Sequence, residues 1–202
     1  MDVTLLTAPA SFKDMERFAA LAALTCHANT DKDYVPHEVL GRIIKAGHES
    51  ILEHITLTYS IKGLSRACLQ ELARHRHISL SVESTRHTLR KILDDDFAVD
   101  ALHDVIPYKY HSAFHSFIWF AYENTGITAN DELKYYLPEF WPTNLIMTAN
   151  IRELRHIIKL RTAPAALKEF RDLAHALYEA VPDVFRYLLK DCVHNEADNN
   201  PD

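Results

Sequence analysis

The sequence predicts an α+β fold, a single domain in which helices flank a central antiparallel sheet. Three observations support this fold class. Residues Ile55 to Ile61 alternate between apolar and polar side chains, which is typical of a strand with one buried face. Several longer segments repeat apolar residues at three- and four-residue steps, the period of an amphipathic helix. The chain has 202 residues but only 4 glycines and 8 prolines, so it is long enough for one hydrophobic core and poor in loop-forming residues.

The first part of the chain is predicted to hold a strand and two helices. "DVTLLT" (residues 2–7) is typical of a short strand. We predict a helix from Ser11, which forms a weak capping box with Asp14, and its apolar side consists of Phe12, Met15, Phe18, Ala19 and Ala22. A second helix is predicted over Pro36–Ala46 and ends at Gly47, with Val39, Leu40, Ile43 and Ile44 facing inward.

The alternating strand is expected to end at Gly63, and Ser65 is expected to cap a helix that runs through Ala73. The residues that follow, Arg74 to Arg86, read "RHRHISLSVESTR", and we name them the arginine–histidine segment. Their many serines and charged side chains predict a loop. "DDDFAVD" (residues 94–100) is predicted to be a solvated turn.

The second half is predicted to be mainly helical. Helices are expected over residues 108–122 and 130–136, the latter ended by Leu137-Pro138, followed by a buried strand at "NLIMTA" (144–149). Asn150 and Glu153 form a capping box for the next helix, whose apolar side is Ile151, Leu154, Ile157 and Ile158. A last helix is predicted over Pro164–Val181, with Leu167, Phe170, Leu173, Ala174 and Leu177 inward. We expect the single domain to span residues 1–193 and residues 194–202 to form a disordered tail.

Composition excludes several classes of function. The formal net charge of -6 disfavours a nucleic-acid binder, so any cationic site must be local and suited to a small anion. The three cysteines, without CxxC spacing, indicate a reducing compartment and no structural zinc site. No signal peptide and no apolar run long enough for a bilayer are recognisable, which predicts a cytoplasmic protein with no membrane partner.

The arginine–histidine segment has two interpretations. It could be a solvated basic loop that pairs with surface acids. Alternatively, it could be a binding site, because Arg74, Arg76 and Arg86 offer planar donor pairs suited to a phosphate or an imide edge. Upstream, His54 leads directly into the alternating strand, a position that is structural more often than functional.

The motifs of this chain resemble those of the flavin-dependent thymidylate synthases (the ThyX family). "RHR", seven residues and then Ser84 match the family signature, and Arg86 follows at the family's spacing. "HESILEH" before a strand, "SRA" at residues 65–67, "LP" at 137–138, "TANIREL" at 148–154 and "LR" at 160–161 occur in the family's order. The resemblance extends from about His48 to Leu173.

This resemblance implies a homotetramer of small α+β domains that binds FAD at its subunit interfaces. It implies conversion of dUMP to dTMP, with methylenetetrahydrofolate as carbon donor and NADPH as reductant. Carried onto this sequence, the flavin contacts are His54, Thr56, Arg74, His75, Arg76, Asn150, Arg152 and His156. The nucleotide contacts are Glu71, Arg74, Ser84, Thr85, Arg86, Lys134 and Arg161, and the family assigns activation of the pyrimidine ring to Arg161. Asn150 can be both a helix cap and a flavin contact.

The chemistry of these residue types suits the implied roles. Guanidinium groups near a reduced flavin stabilise its negative charge and tune hydride donation. Arg161, which is always protonated, can stabilise anionic character that develops on the imide side of a pyrimidine as C5 attacks. Ser84 has no general base at a suitable spacing, so we interpret it as a ligand and not as a nucleophile.

This sequence differs from the family pattern mainly at positions that lie near the nucleotide in the family. The family usually has glutamine at Glu71, asparagine at Ser81, glutamate or glutamine at Val82, tyrosine at His87 and arginine at Lys134. A carboxylate near a phosphate costs on the order of a kcal/mol or more when partly buried. The identity of the nucleotide therefore stays open at this point, whereas the flavin set is largely intact.

Two alternatives remain. The first keeps FAD but acts on a different or modified pyrimidine nucleotide. The second is a non-enzymatic nucleotide or metal binder, suggested by the 13 histidines, including His111 with His115 and His75 with His77. No carboxylate or cysteine is spaced to complete a tetrahedral metal site, and the histidines of "HESILEH" do not match HExxH, so we predict no metal.

Overall fold

The computed structural model describes residues 1–29, 33–124 and 130–194. Its strands are β1 (Asp2–Leu5), β2 (Thr56–Ser65), β3 (Ile78–Val82) and β4 (Pro142–Asn150). Its α-helices are α1 (Pro9–Thr25), α2 (Pro36–Lys45), α3 (Arg66–Leu72), α4 (Thr85–Leu93), α5 (Asp96–Val105), α6 (His111–Glu123), α7 (Asn130–Leu133), α8 (Ile151–Arg161) and α9 (Lys168–Glu179). Short 3₁₀ helices cover Glu49–His54, Tyr108–Tyr110, Lys134–Tyr136, Asp183–Leu188 and Lys190–Cys192.

The four strands form one sheet in the order β1-β2-β4-β3. Thr58 contacts Thr148 through the two hydroxyls, and the Gly63 N–H donates to the Asn144 side chain. Residue numbers therefore rise along β2 while they fall along β4, so these strands run antiparallel. The prediction of helices combined with an antiparallel sheet is confirmed.

The strand prediction at Ile55–Ile61 is also confirmed, and Ile55, Leu57, Tyr59 and Ile61 are all completely buried. The expectation that Gly63 ends this strand is wrong. Gly63 adopts a φ of 72°, and β2 continues through it to Ser65. Glycine tolerates this backbone geometry inside a strand because it has no Cβ. β4 buries alternate residues only, so the predicted buried strand has one exposed face.

The chain divides into two compact units. The first consists of residues 1–2, 61–73 and 81–145. Its hydrophobic core is formed by α4, α6 and α7 together with Trp141. The Trp141 ring packs against Phe117 in an edge-to-face arrangement, with ring centroids 5.3 Å apart.

The second unit consists of residues 3–60, 74–80 and those from 146 onward. Its core includes Phe12 of α1, which stacks on Phe185 with ring centroids 4.6 Å apart. Helices α8 and α9 pack against each other, and each has buried apolar residues, such as Leu154 in α8 and Leu173 in α9. All the predicted inward residues of α8 are buried, which confirms the periodicity of that helix.

Two predictions of irregular structure are wrong over most of their length. Within the arginine–histidine segment, residues 74–77 and 83–84 are irregular as predicted, but residues 78–82 form β3 and α4 begins at Thr85. In the predicted turn at residues 94–100, only Asp94 and Asp95 lie outside a helix, and the other residues belong to α5. The Asp95 side chain accepts hydrogen bonds from the N–H groups of Phe97 and Ala98 and thereby caps α5.

Several helix limits and faces also differ from the prediction. α1 begins at Pro9, with Ala8 as its N-cap, so Ser11 and Asp14 do not start it. Its Phe18 is 60% exposed, whereas Ala20 and Ala23 are buried. α9 begins only at Lys168, and Leu167, predicted to face inward, is exposed.

At the end of the described chain, the His194 N–H donates to the Thr162 hydroxyl at 3.0 Å. The rest of the predicted tail, residues 195–202, lies outside the described residues. No helix within 1–29, 33–124 and 130–194 combines the length and apolar character needed to cross a bilayer.

Candidate functional site

The second unit contains a cleft of about 820 Å³ that is lined mainly by charged side chains and histidines. It is bordered by the 3₁₀ helix Glu49–His54, the residues after α3, the part of α8 up to Lys159 and the 3₁₀ helix Lys190–Cys192. Six of the eight predicted flavin residues line it: Arg74, His75, Arg76, Asn150, Arg152 and His156. His54 and Thr56 are exposed and belong to the same unit but are not among its lining residues.

Two helix caps position these residues. The Ser65 hydroxyl accepts a hydrogen bond from the Cys68 N–H and starts α3, so the chain reaches Arg74 directly after the Ala73 C-cap. The Asn150 Oδ1 accepts from the Glu153 N–H at 2.9 Å and starts α8. Both caps follow the rule that Ser and Asn side chains satisfy the first N–H groups of a helix. The predicted caps at Ser65 and Asn150 are confirmed.

Three of the four carboxylates that line the cleft pair with arginines that also line it. Arg152 donates to Glu53 at 2.6 Å, and Arg155 pairs with Glu49 and Asp191. Arg74, Arg76 and Lys159 add further positive charge. Among the residues that the structure describes, no carboxylate pairs with Arg76. The cleft therefore suits an anionic ligand.

Arg155 connects α8 to two other segments of the cleft. Its side chain is only 5% exposed, yet it donates to Glu49, to both carboxylate oxygens of Asp191 and to the Leu188 carbonyl, at distances of 2.6–2.9 Å. Burial alone would lower the pKa of Arg155, but the hydrogen bonds to Asp191 and Glu49 outweigh it and raise that pKa. The hydrogen bonds that Asp191 accepts from Arg155 lower the pKa of the Asp191 carboxyl.

His75 is buried between a carboxylate and a guanidinium. Its Nδ1 lies 3.2 Å from Glu153 Oε1, and Arg161 Nε donates to its Nε2 at 3.2 Å. The Arg161 guanidinium also lies over the Phe170 ring, 4.4 Å from the centroid. Burial lowers the pKa of His75, and the nearby charge of Arg161 lowers it further, while Glu153 acts in the opposite direction. Glu153 thus contacts His75, and the predicted return contact of its side chain to the helix start is wrong.

The other predicted nucleotide residues lie in the first unit. Ser84 is the N-cap of α4, and Thr85 and Arg86 form the first turn, where backbone N–H groups lack intrahelical acceptors. Arg86 donates to both oxygens of Asp131, at 2.6 and 3.2 Å, in an ion pair whose side chains are 62% and 59% exposed. Glu71 is half-buried at the end of α3, and Lys134 is exposed.

The histidine pairs suggested as metal ligands do not form a site in the described ranges. Of residues 1–29, 33–124 and 130–194, no group of three or more His, Cys, Asp or Glu side chains could hold a metal ion. His103, His111 and His115 approach one another, but the His111 Nε2 hydrogen bonds to the Ile106 carbonyl at 2.8 Å. Both ring nitrogens of His75 are engaged by Glu153 and Arg161.

Sequence reasoning missed several cleft residues with clear contacts, among them Glu49, Glu53, Glu153 as a partner of His75, Arg155 and Asp191. Arg155 did carry a signal. It lies at the i+4 position from Ile151 and one residue after Leu154, within the apolar side of α8, and an arginine at such a position needs buried partners. Glu49 and Asp191 carried no comparable signal, because their partner is distant in the sequence.

The sequence comparisons with a family model and with known proteins all match one family. The family model described as "Thymidylate synthase complementing protein" matches residues 7–185. The flavin-dependent thymidylate synthase of Campylobacter jejuni is 35% identical over 187 residues, which cover 86% of each chain. The Wolinella succinogenes enzyme of the same name is 41% identical over 163 residues, covering 76% of this chain and 78% of the relative.

The fold comparison agrees. A crystal structure of thymidylate synthase X from Helicobacter pylori with FAD and dUMP superposes with a TM-score of 0.80 and 32% sequence identity. The match covers 96% of this chain and 100% of that one.

Proposed function

The chain belongs to the flavin-dependent thymidylate synthase family, and from this membership we propose that it methylates dUMP to dTMP. Methylenetetrahydrofolate is the carbon donor in this proposal, and NADPH is the reductant. The observation that carries it is the cationic cleft, where six of the residues implied by the family resemblance converge. Bound FAD, reduced by NADPH, would supply the hydride.

The cleft fits the flavin in both size and charge. Its volume of about 820 Å³ lies within the usual range for cofactor sites, and its arginines suit the pyrophosphate of a dinucleotide. We assign Arg74, Arg76 and Arg152 to the anionic part of FAD. Asn150 uses Oδ1 for the helix cap, so the Nδ2 hydrogens are the donors with which it would meet the cofactor. His54, Thr56, His75 and His156 complete the proposed flavin set.

For the nucleotide, we assign the phosphate to the N-terminus of α4. Ser84 contributes a hydroxyl, while Thr85 and Arg86 contribute N–H groups of the first turn, where the helix dipole favours an anion. The Arg86–Asp131 pair is no obstacle, because exposed ion pairs contribute only about 0–1 kcal/mol. A phosphate dianion can therefore replace Asp131 as the partner of Arg86.

Arg161 is the proposed catalytic residue, and Arg74, Glu71 and Lys134 complete the nucleotide set. The contact with the Phe170 ring and the hydrogen bond to His75 restrict the orientation of the Arg161 guanidinium. A permanent positive charge held in this way stabilises anionic character on the imide side of the pyrimidine without proton transfer.

The direct test is to purify the protein, record its absorption spectrum and assay dTMP formation from dUMP, methylenetetrahydrofolate and NADPH. We expect the flavin absorption bands and dTMP. A colourless protein that does not respond to added FAD would refute the flavoprotein assignment. Bound flavin without dTMP would refute the thymidylate assignment alone.

Variants of one arginine refine this test. Arg74→Ala or Arg76→Ala should abolish activity with little change in folding stability, whereas Arg76→Lys should retain part of the FAD affinity because it keeps the charge and loses the planar pair of donors. Lys168→Ala serves as the control, since it removes an exposed ion pair with Asp172 elsewhere in the same unit. If the arginines were only surface residues, all variants would stay within about 0.5 kcal/mol and remain active.

One alternative substrate deserves a parallel assay. This chain differs from the family pattern at Glu71, Ser81, Val82, His87 and Lys134. These differences are the reason to test a different or modified pyrimidine nucleotide beside dUMP. A competition experiment in which dUMP and other pyrimidine monophosphates displace one another from the FAD-loaded protein would decide between them. dUMP binding that is at least as tight as any competitor would confirm the first proposal.

We further propose that residues 1–193 act as one domain within a cytoplasmic homotetramer with sites at subunit interfaces. Exposed aromatic residues in the first unit support self-association: Trp119 is 66% exposed, and Tyr108 and Tyr135 are 87% and 88% exposed. Light scattering coupled to size exclusion should give four times the mass of the 23.2 kDa chain. A monomeric mass would refute the proposal.

A further inference from the structure

We propose that Glu153 and His75 are positioning residues that hold the Arg161 guanidinium in place, with His75 neutral and protonated on Nδ1. This inference rests on the proposed function in one respect, since it takes Arg161 to be the group that acts on the pyrimidine. The linkage itself, from carboxylate through imidazole to guanidinium, is a property of the folded chain.

The hydrogen-bond directions follow from the chemistry of the three groups. The guanidinium of arginine is always protonated and can only donate, so His75 Nε2 must accept from Arg161 Nε. An Nε2 that accepts carries no proton, which places the single proton of the neutral ring on Nδ1. Nδ1 faces Glu153 Oε1 at 3.2 Å, and a carboxylate accepts. The Arg161 contact therefore requires the tautomer that can donate to Glu153.

The surroundings favour this neutral form. His75 is 6% exposed and Glu153 is 8% exposed, so both groups depend on each other for hydrogen bonding. A second proton on Nε2 would point at the Arg161 guanidinium and would bring two positive charges together in a buried place. The direction of the His75 pKa shift agrees with this argument.

The arrangement leaves Arg161 few alternative orientations. Phe170 lies beneath the guanidinium and also contacts His75 edge to face, with ring centroids 5.8 Å apart. The Glu153 backbone is fixed in turn, because its N–H donates to the Asn150 cap. One buried carboxylate on the first turn of α8 therefore controls a guanidinium at the last residue of the same helix. A guanidinium that is held in place in this way lowers the free energy of the transition state more than it strengthens substrate binding.

The tautomer is measurable directly. Magic-angle-spinning ¹⁵N NMR of the FAD-loaded protein, labelled with ¹⁵N-histidine, should show a histidine with a protonated Nδ1 and an unprotonated Nε2 near neutral pH. The His75→Gln variant identifies that signal by its disappearance. A His75 signal with Nε2 protonated, or with both nitrogens protonated, would overturn the proposal.

Two matched pairs of variants test the effect on Arg161. Glu153→Ala should lower kcat per bound flavin at least tenfold with little change in KM for dUMP, whereas Glu153→Gln, whose amide oxygen can still accept from Nδ1, should lose less than about threefold. At His75, the Gln side chain places an acceptor near the Nε2 position and the Asn side chain near Nδ1. His75→Gln should therefore retain more activity per bound flavin than His75→Asn.

A purely structural role of Glu153 predicts a different pattern. The melting temperature and the flavin content of Glu153→Ala would then fall, while kcat per bound flavin would stay at the wild-type value, and the proposal would be wrong. If the wild-type chain forms no dTMP, the proposed function fails by itself. The NMR measurement still decides in that case whether His75 links Glu153 to Arg161.

Discussion

Replacing Arg155 by methionine removes a guanidinium that is 5% exposed and keeps a similar apolar length within α8. The change deletes the contacts to Glu49 and Asp191 and leaves the Leu188 carbonyl without its donor. These contacts join α8 to the 3₁₀ helices on both sides of the cleft. The variant therefore measures how much the buried network contributes to the free energy of unfolding.

The expected loss is about 3 kcal/mol. Removing one partner from a buried ion network typically costs about 3–5 kcal/mol. Here the two carboxylates are partly exposed, at 33% and 49%, and can recover water, which places the estimate at the lower end. Leaving the buried Leu188 carbonyl without a donor adds about 1–3 kcal/mol to the loss. The methionine acts in the opposite direction, because the variant has no buried charge to desolvate. At about 2–4 °C per kcal/mol for a chain of this size, the melting temperature should fall by about 6–12 °C.

Thermal and urea unfolding, followed by circular dichroism at a fixed protein concentration and without added FAD, measure this loss. Arg152→Met is the matched control. It lies on the same helix and removes an ion pair of the same 2.6 Å length, but that pair is 53% and 50% exposed. We expect the control to lose less than about 1 kcal/mol.

The pH dependence adds a second check. Because the pKa of Asp191 lies below its ordinary value of 3.8, the contribution of its pair with Arg155 is complete above that value and is lost as the pH falls through the lowered pKa. The difference between wild type and Arg155→Met should therefore shrink below about pH 4. Equal losses for Arg155→Met and Arg152→Met, or a more stable Arg155→Met, would refute the reasoning.

Three further predictions concern single side chains. Cys26 is exposed, whereas Cys68 and Cys192 are buried, and burial raises the pKa of Cys192 to about 11. One thiol per native chain should therefore react rapidly with a disulfide reagent at pH 8, and Cys26→Ser should remove that reaction. Because burial lowers the pKa of His75 below 6.5, the unfolded chain binds more protons than the folded chain as the pH falls. The free energy of unfolding should therefore decrease below about pH 6.5, and urea titrations should show a weaker dependence of this free energy on pH for His75→Gln. Lys134→Arg should tighten dUMP binding about three- to tenfold by calorimetry if the family's arginine contacts the nucleotide, and unchanged affinity would exclude that contact.

The sequence predicted the elements in which local chemistry and burial agree. The alternation at Ile55–Ile61, the caps at Ser65 and Asn150 and the apolar side of α8 were all recognisable because each depends on residues close in the chain. The errors arose where composition and structure disagree. The polar arginine–histidine segment contains β3, since a strand needs sheet neighbours more than apolar residues, and such neighbours are not visible from the segment itself.

For the candidate site, the family resemblance implied six of the residues that line the cleft, but not the contacts that hold them in place. Glu49 and Asp191 contact Arg155 across 106 and 36 residues of sequence, and His75 meets Arg161 across 86. No periodicity relates such positions. Only the folded chain reveals that His75 has both ring nitrogens occupied.

The cleft is built from four stretches that are far apart in the chain, around residues 49–53, 74–77, 150–159 and 191–192. An unfolded chain has no such cleft, so whatever occupies it binds the native state alone and shifts the folding equilibrium by mass action. A ligand at a hundred times its dissociation constant would add about 2.7 kcal/mol. The supply of cofactor in the cell would then govern how much of this protein survives proteolysis, in addition to how fast it works.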